Sequence, residues 1–496
     1  MLALAASLAV TLSISDPMIR IDGTFTDWDD VPVAVDDAGD APDGEVDLGT
    51  IRWHADGQAV YLQADIGRTL NVQRLAGMLS LVVDADGDPE TGLTSDGLTG
   101  VDFIIDWSPP SRRDAERGMG TRLRVANARG FSDGTVYALD AVMAPTTAGP
   151  VFELRLRRDV ALAGPVRPFA GAACRAKLIH HARNGTVTDE TDIMSIALPE
   201  LAPPPPPVEA TTSPLARSAP DVLRVVSWNV ELGALTERPQ AFLGVLRALD
   251  PDVILIQELR DSEGADRLRS IVSAITPDAG AWHVVIGEGG GNLRSAIASR
   301  TALTVPASMR VVADPKRSGT DVRTAAASIM YAGRPVLLVS SHLKCCGQIG
   351  SREDETRIRE ASLIRDAVAA LPAALRRGVV IGGDLNLVGT AIPLERLVGG
   401  IDADGTDLEI AEPFQLDGVS SATWGRRGAS FIAGRLDYLA YSDATMRVAG
   451  AFVFDAADLS PACLSSSGLA ATATRDASDH LPVVLDLAWV SGPPND

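Results

Sequence analysis

Cysteine is scarce in this chain, with only Cys174, Cys345, Cys346 and Cys463 among 496 residues. Four are too few for a disulfide framework, and none falls in the CxxC spacing that holds a metal. The adjacent Cys345 and Cys346 lie just after His342, but buried thiols, or one pairing with Cys463 in an exported protein, describe them better than a reactive thiol. Long apolar runs are also missing. Nothing approaches the roughly 18 uninterrupted apolar residues that cross a bilayer, so no transmembrane segment is expected. Basic residues are outnumbered 65 to 44, giving a formal net charge of −21, and only a handful of the 44 are lysines. From Asp221 onward there are 34 acidic and 26 basic residues, a net of −8, which leaves −13 for residues 1–220. A protein that grips duplex DNA neutralises phosphates with a basic face. This chain holds no reservoir for one, so its charge disfavours nucleic acid as a partner.

What is present divides into four stretches. Residues 1–17 begin Met1-Leu2-Ala3-Leu4-Ala5-Ala6 and stay apolar and small to about Ser15. This resembles the apolar core and small-residue end of a secretory signal peptide, without its basic start. Export is the expectation, to the periplasm, the cell surface or the medium. Residues 201–220 contain an unbroken proline run, Pro203 to Pro207, followed by a Thr/Ser/Pro segment. Such a segment is a semi-rigid polyproline spacer and marks a domain boundary.

Between them, residues 18–200 read as short β-rich runs separated by Gly, Asp and Pro clusters: Gln58–Ala64, Leu79–Val83, Asp102–Trp107 and Val151–Leu156. That rhythm predicts an antiparallel β-sandwich. Two motifs stand out, Ile21-Asp22-Gly23-Thr24-Phe25-Thr26-Asp27-Trp28 and Asp84-Ala85-Asp86-Gly87-Asp88-Pro89-Glu90-Thr91-Gly92, the latter followed by Gly100-Val101-Asp102-Phe103. Together they resemble the family 9-like carbohydrate-binding and DOMON-type sandwiches, which implies a glycan ligand. Trp28, Trp53 and Trp107 can serve either as sugar-stacking platforms or as core. Aspartates alternating about a glycine also suit Ca²⁺, a hard cation needing several oxygens on a tight turn. Asp84, Asp86 and Asp88 are the candidate ligands of a structural Ca²⁺, against the alternative of a solvated acidic turn.

After the linker, residues 221–490 alternate buried-type strands with helices, and two helices are plain: Gln240–Ala248 and Asp354–Ala370. An α/β layered domain is expected. Polar residues recur at the strand ends: Ser227-Trp228-Asn229, Gln257-Glu258, Ser341-His342, Gly382-Gly383-Asp384-Leu385-Asn386, Arg435-Leu436-Asp437-Tyr438 and Ser478-Asp479-His480-Leu481-Pro482. Strand tips are where layered folds gather functional groups, because the core fixes the strands while their ends open to solvent. One such aspartate alone would more often be a turn-former.

Six such ends in this order resemble the endonuclease/exonuclease/phosphatase superfamily, which includes apurinic endonucleases, pancreatic-type deoxyribonucleases, neutral sphingomyelinases and inositol polyphosphate 5-phosphatases. The resemblance implies a four-layered α/β sandwich and metal-dependent hydrolysis of phosphodiester or phosphomonoester bonds by in-line attack of water. Negative charge then spreads over the equatorial oxygens, and a divalent cation with hard oxygen ligands offsets it. By resemblance Glu258 and Asp479, helped by Asn229, hold Mg²⁺ or Mn²⁺. His480 would accept the water's proton, with Asp437 orienting its imidazole. Asp384 would position the nucleophile or serve as the base instead, Asn386 would bind a phosphate oxygen, and His342 would hydrogen-bond the phosphate or protonate the leaving oxygen. Gln257 and Arg357, the latter in Arg357-Ile358-Arg359-Glu360-Ala361, are expected to support these groups rather than react.

The stretch Val388–Ser420 is acidic (Asp402, Asp404, Asp407, Glu409, Glu412, Asp417). Placed at the mouth, it would repel a polyanion and tolerate a small or lipid-linked phosphoester. A secreted Mg²⁺-dependent nuclease is the first alternative. A glycan-binding surface protein with an inactive second domain is another, and the presence of Glu258, Asp384 and Asp479 speaks against it.

Overall fold

The structure, a computed structural model, describes residues 18–110, 118–162, 168–202, 214–276, 280–317 and 321–490. The signal-like segment 1–17 and the proline run lie outside the described residues.

The first half is an antiparallel sandwich, as its alternating pattern predicts. One sheet runs in the order 33–36, 50–55, 59–70, 149–157, 142–144. The other runs 187–190, 173–181, 78–84, 103–107, 121–127, 130–134, with 194–197 also paired to 173–181. Strand Thr50–Ala55 alternates half-buried and buried residues, the signature of a strand with one face in a core and one outside. The core between the sheets takes Trp53, Leu62, Leu81, Ile105 and Leu154. Trp28, Trp53 and Trp107 are all buried, at 0%, 3% and 0% exposure, so they are core and none offers a face to a sugar. Trp28 donates its Nε1 proton to Glu153 Oε2 at 2.8 Å.

The second half has two mixed sheets. The first is ordered His283–Ile286, Leu293–Ser299, Val253–Arg260, Leu223–Asn229, Val483–Trp489, Met446–Val453. The second is ordered Thr324–Tyr331, Arg334–His342, Val379–Asp384, Asp437–Tyr441, Glu409–Ile410. Each sheet contains one parallel pair, Leu223–Asn229 with Val253–Arg260 and Arg334–His342 with Val379–Asp384. Central strands such as Leu223–Asn229 are buried along their whole length, because both faces are covered. Val225, Leu255, Ile297, Leu338 and Leu485 fill the space between the sheets. Helix Pro239–Leu249 begins on a proline that needs no amide partner and packs Phe242, Leu246 and Leu249 on the outer face of the first sheet. Helix Arg352–Ala369 is capped by Ser351, carries Glu353, Asp354 and Glu355 in its first turn, and lays Ala361, Ile364 and Val368 on the second. Helix, sheet, sheet, helix gives four layers.

Arg224 ties the first sheet to the segment entering it. Its guanidinium, 1% exposed, donates to Asp486 Oδ1 and Oδ2 at 2.7 and 2.8 Å and to the carbonyls of Leu215, Ala216 and Leu249. Asp486 also accepts from Ser218 N and Oγ at 2.9 and 3.1 Å. The segment 214–218, read from sequence as linker, is therefore seated on this domain. Truncating one partner of such a pair leaves a buried uncompensated charge, at a cost of about 3–5 kcal/mol. Asp486→Ala is expected to lower the urea midpoint of the second domain's unfolding by that amount of stability. A shift worth under ~1 kcal/mol would show that Arg224 finds water instead.

Candidate active site

Strand register does most of the assembly. In the first sheet Asn229 sits opposite Gln257. In the second, His342 sits opposite Asp384 and Asp384 opposite Asp437. Because the two sheets pack face to face, these ends open at the same edge. Gln257 bridges them, its Nε2 donating to Ser227 Oγ at 3.3 Å and to Ser340 Oγ at 3.0 Å. The two glycines before Asp384 are required by this crowding: a Cβ on Gly382 would strike the Tyr438 carbonyl, and one on Gly383, at φ +135°, the Ser341 carbonyl.

Asp384 lies at the centre, 2% exposed. Its Oδ2 accepts from Asn229 Nδ2 at 2.9 Å and Asn386 Nδ2 at 3.0 Å, and its Oδ1 from the Asn386 amide at 3.0 Å. His342 Nε2 stands 3.5 Å and His480 Nε2 3.8 Å from the same Oδ2. Glu258 Oε1 is 3.7 Å from His342 Nε2, and Glu258 Oε2 accepts from the Leu232 amide at 2.7 Å. His480 Nδ1 is 2.7 Å from Asp437 Oδ2. That oxygen also accepts from Thr423 Oγ1 at 2.7 Å, and Thr423 Oγ1 in turn accepts from the amides of Leu436 and Asp437. Asp479 lines the same cavity and accepts from Trp424 Nε1 at 3.2 Å.

Two clusters of ligand atoms within 4.8 Å of one another occur here, Glu258 with His342 and Asp384, and Asp384 with Asp437 and His480. Neither of these clusters among the described residues includes Asp479 or a cysteine. Arg357, wholly buried, donates to the carbonyls of Lys344 and Cys346 at 2.9 and 2.6 Å and to Asp354 at 3.1 Å, which fixes the 344–346 loop beside the site.

Several groups at the site gave no signal in the sequence reading. Glu231 lines the cavity and its carboxyl is held above its ordinary value by burial and by Asp479, with Glu258 adding to the effect. Its position two residues beyond Asn229 is the clue that was available. Arg323 Nη1 approaches His342 Nδ1 at 3.1 Å. A guanidinium only donates, and its shorter contact is with Nδ1, against 3.5 Å to Nε2, which favours Nδ1 as acceptor and the ring proton on Nε2, facing Asp384 and Glu258. Among the described residues, five of the eleven non-glycine positions with positive φ (Glu231, Leu232, Glu258, Cys346 and Asn386) line this one cavity. Backbone held in that region costs of order 1–3 kcal/mol per residue and collects at functional sites.

The acidic stretch expected at the mouth is elsewhere: none of Asp402, Asp404, Asp407, Glu409, Glu412 and Asp417 lines the cavity. In the sandwich, Asp84 and Asp86 cluster with Asp102 rather than Asp88. Asp88 instead caps its own turn through the Glu90 amide, and Arg175 already occupies Asp84 Oδ2.

The profile of the endonuclease/exonuclease/phosphatase family matches residues 226–480, just over half the chain. The chain belongs to that family. No curated protein sequence matches it. Among solved structures, a humanized zebrafish (D. rerio) TDP2 is 15% identical, covering 54% of this chain and 99% of that one at a TM-score of 0.36. The human Nocturnin catalytic domain is 18% identical over 55% and 96%, at 0.38. ANGEL2, a 2′,3′-cyclic phosphatase, is 14% identical over 54% and 95%, at 0.39.

The electrostatics of the cluster divide its two histidines. Burial, reinforced by Arg323 and His480, holds the His342 imidazole well below its ordinary value. Burial also acts to lower His480, but Asp437 and Asp384 outweigh it and carry the imidazole up to about 10. Burial, with Asp437 and Asp384's other acidic neighbour Glu258, pushes the Asp384 carboxyl up to about 8. In metal-free protein near neutral pH, the long-range ¹H–¹⁵N spectrum is therefore expected to show His480 doubly protonated and His342 neutral with its proton on Nε2. Asp437→Asn should return His480 toward neutrality. A neutral His480 in the unsubstituted protein would contradict the arrangement.

Proposed function

We propose that the protein hydrolyses a phosphoester through a divalent cation held by hard oxygen ligands. The single observation that supports this most is the convergence on one cavity of Glu231, Glu258, Asp384 and Asp479, with the buried Asp384 carboxyl pushed up to about 8. Burial is the first cause of that shift and the Asp437 and Glu258 carboxylates add to it, so a cation beside them would offset charge that the buried site otherwise disfavours. Carboxylates and an amide oxygen suit Mg²⁺ or Mn²⁺ better than a softer ion. Glu258 and Asp479, helped by Glu231 and the amide oxygen of Asn229, would hold it; Glu258 is the member of this set whose ligand atoms already cluster, with those of His342 and Asp384. Bound there, the ion would offset charge developing on the phosphoryl oxygens.

The chain's own groups supply the proton traffic. Asp384 is flanked by both imidazoles, and Asn229 and Asn386 hold it by two amide hydrogen bonds to one oxygen. The amide of Asn386 is thus engaged by Asp384 and by the Leu343 carbonyl at 3.2 Å, which makes it a positioning residue for the carboxylate. Asp384 and His480 titrate as a pair and accept the proton of the attacking water at the His480 Nε2–Asp384 Oδ2 edge, while Asp437 keeps the imidazole oriented. His342, neutral with its Nε2 proton directed into the site, donates a hydrogen bond to a phosphoryl oxygen.

The test is hydrolysis of bis-p-nitrophenyl phosphate, p-nitrophenyl phosphate and plasmid DNA, with Mg²⁺ and with excess chelator. Chelation is expected to abolish turnover, and Asp384→Ala and His480→Ala each to lose at least ~10² in rate. Near-wild-type rates from both variants would overturn the assignment, and turnover of DNA alone would make the protein a nuclease.

A pH profile carries a separate expectation. A protonated pair cannot accept a proton, so the rate falls as pH falls through an acid limb. Asp437→Asn removes the carboxylate that raises His480. The limb should then move to lower pH while the plateau drops about 10²-fold or more. A lowered plateau with an unmoved limb would take Asp437 out of this role.

A further inference from the structure

The cavity that holds the site does not belong to the catalytic domain alone. It has a volume of about 330 Å³, and its wall continues from Glu258, Asp384 and His480 to Leu70, Val72 and Met143 of the sandwich. The two domains meet there through built contacts. Asn71 donates to the Gly389 carbonyl at 3.3 Å and accepts from the Ile349 amide at 2.8 Å. Ala148 N donates to Gly389 O at 2.6 Å and Met143 N to Ala433 O at 3.1 Å. Gln73 Oε1 accepts from the Ile432 amide at 2.9 Å. Ile432, a residue of the catalytic domain, is 2% exposed and sits in the sandwich's own core cluster.

We infer that the sandwich forms half of the substrate pocket, and that its half receives an apolar ester group of the phosphoester. This rests on the phosphoesterase reading above and deepens it. The pocket wall exposes more apolar than polar surface. The carboxylates and His480 gather where the phosphoryl group would react, and Leu70, Val72, Met143, Phe431, Ile432 and Leu436 form an apolar portion of the remaining wall, interleaved with polar groups such as Asn71, Gln73 and Thr146. The apolar wall is continuous with the reacting centre, so an ester substituent on phosphorus is the group that reaches it. Arg74 is part of this wall, its guanidinium lying over the Phe431 ring 5.0 Å from the centroid, which fixes that ring in place. A volume of this size accommodates an aryl or short alkyl group. The substrate class is a small phosphoester bearing one apolar substituent.

The experiment compares methyl p-nitrophenyl phosphate with phenyl p-nitrophenyl phosphate, which share a leaving group and differ only in the group offered to the cleft. Full-length protein with Mg²⁺ is expected to prefer the phenyl ester in kcat/KM by about 10–100-fold, the scale of burying one aromatic ring. In Leu70→Ser and Phe431→Ser the ratio between the two substrates should fall below about 3. A ratio near one in the unsubstituted protein, or a ratio untouched by both substitutions, would overturn the inference.

A second measurement needs no variant and no turnover: calorimetric binding of phenylphosphonate and methylphosphonate to the Mg²⁺-loaded protein. The phenyl compound should bind at least ~10-fold more tightly, and equal affinities would overturn the cleft. If neither diester is hydrolysed while phenylphosphonate keeps its advantage, the catalytic reading fails and the cleft stands.

Discussion

The position of the Asp384 carboxyl depends on two sheets arriving with their ends level, and the side chains of Asn229, His342, Asn386 and His480 converge on it. Asn229 reaches its Oδ2 from the first sheet, while His342 and Asn386 reach it from the second. A slip of one residue in either sheet would turn these side chains to the opposite face, since strand side chains alternate with period two. The bridge of Gln257 to Ser227 and Ser340 is the polar fastening that opposes such a slip across the interior. The Gly382-Gly383 pair is the steric condition for it, because any larger residue would push neighbouring backbone away from the register that places Asp384 opposite both His342 and Asp437.

Much of this was legible in the sequence, for a definite reason. Asn229, His342 and Asp384 each end a run of buried strand, so their neighbours advertise both the element and its end; Glu258 instead sits at a bulge within Val253–Arg260, which continues past it. The two patterns, period two in Thr50–Ala55 and uninterrupted burial in Leu223–Asn229, likewise report whether one or both faces are covered. Thr423, Trp424 and Arg323 had no such signal. Thr423 and Trp424 lie on a loop whose backbone pairs with residues 479–481, through Leu481 N to Thr423 O at 2.7 Å and Gly425 N to Asp479 O at 3.1 Å. That pairing is set by tertiary contacts and leaves no local pattern. Arg323 acts one residue before its strand Thr324–Tyr331 begins. The acidic run 402–417 misled for the complementary reason, since charge density along a chain does not say which way a surface faces.

The proline run invites the view of two independent domains joined by a spacer, and the contacts oppose that view. The loop that presents Thr423 to Asp437 and Trp424 to Asp479 is held on its other side by the sandwich. Ile21 pairs with the segment 419–421 through Ile21 N to Val419 O and Ser421 N to Ile21 O. Tyr137 donates its hydroxyl proton to the Phe431 carbonyl at 2.8 Å and accepts from the Arg426 amide at 3.2 Å, and Thr146 donates to the Arg435 carbonyl at 3.0 Å. A loop of this length would otherwise be among the more mobile parts of a fold. Here it is clamped at both ends and in the middle.

That clamp links the two halves energetically. Thr423 Oγ1 donates to Asp437 Oδ2 and accepts from two backbone amides, so the orientation of the carboxylate against His480 is only as fixed as the loop carrying Thr423. The sandwich fixes that loop by hydrogen bonds to backbone groups, which specify position without regard to the loop's side chains, and by burying Ile432 in its own core. The His480–Asp437 pair is therefore positioned by a domain that contributes no reacting atom to it. Preorganisation of this kind places the stability of one domain in the service of geometry in another, and it accounts for one continuous wall, drawn from both domains, around the cavity.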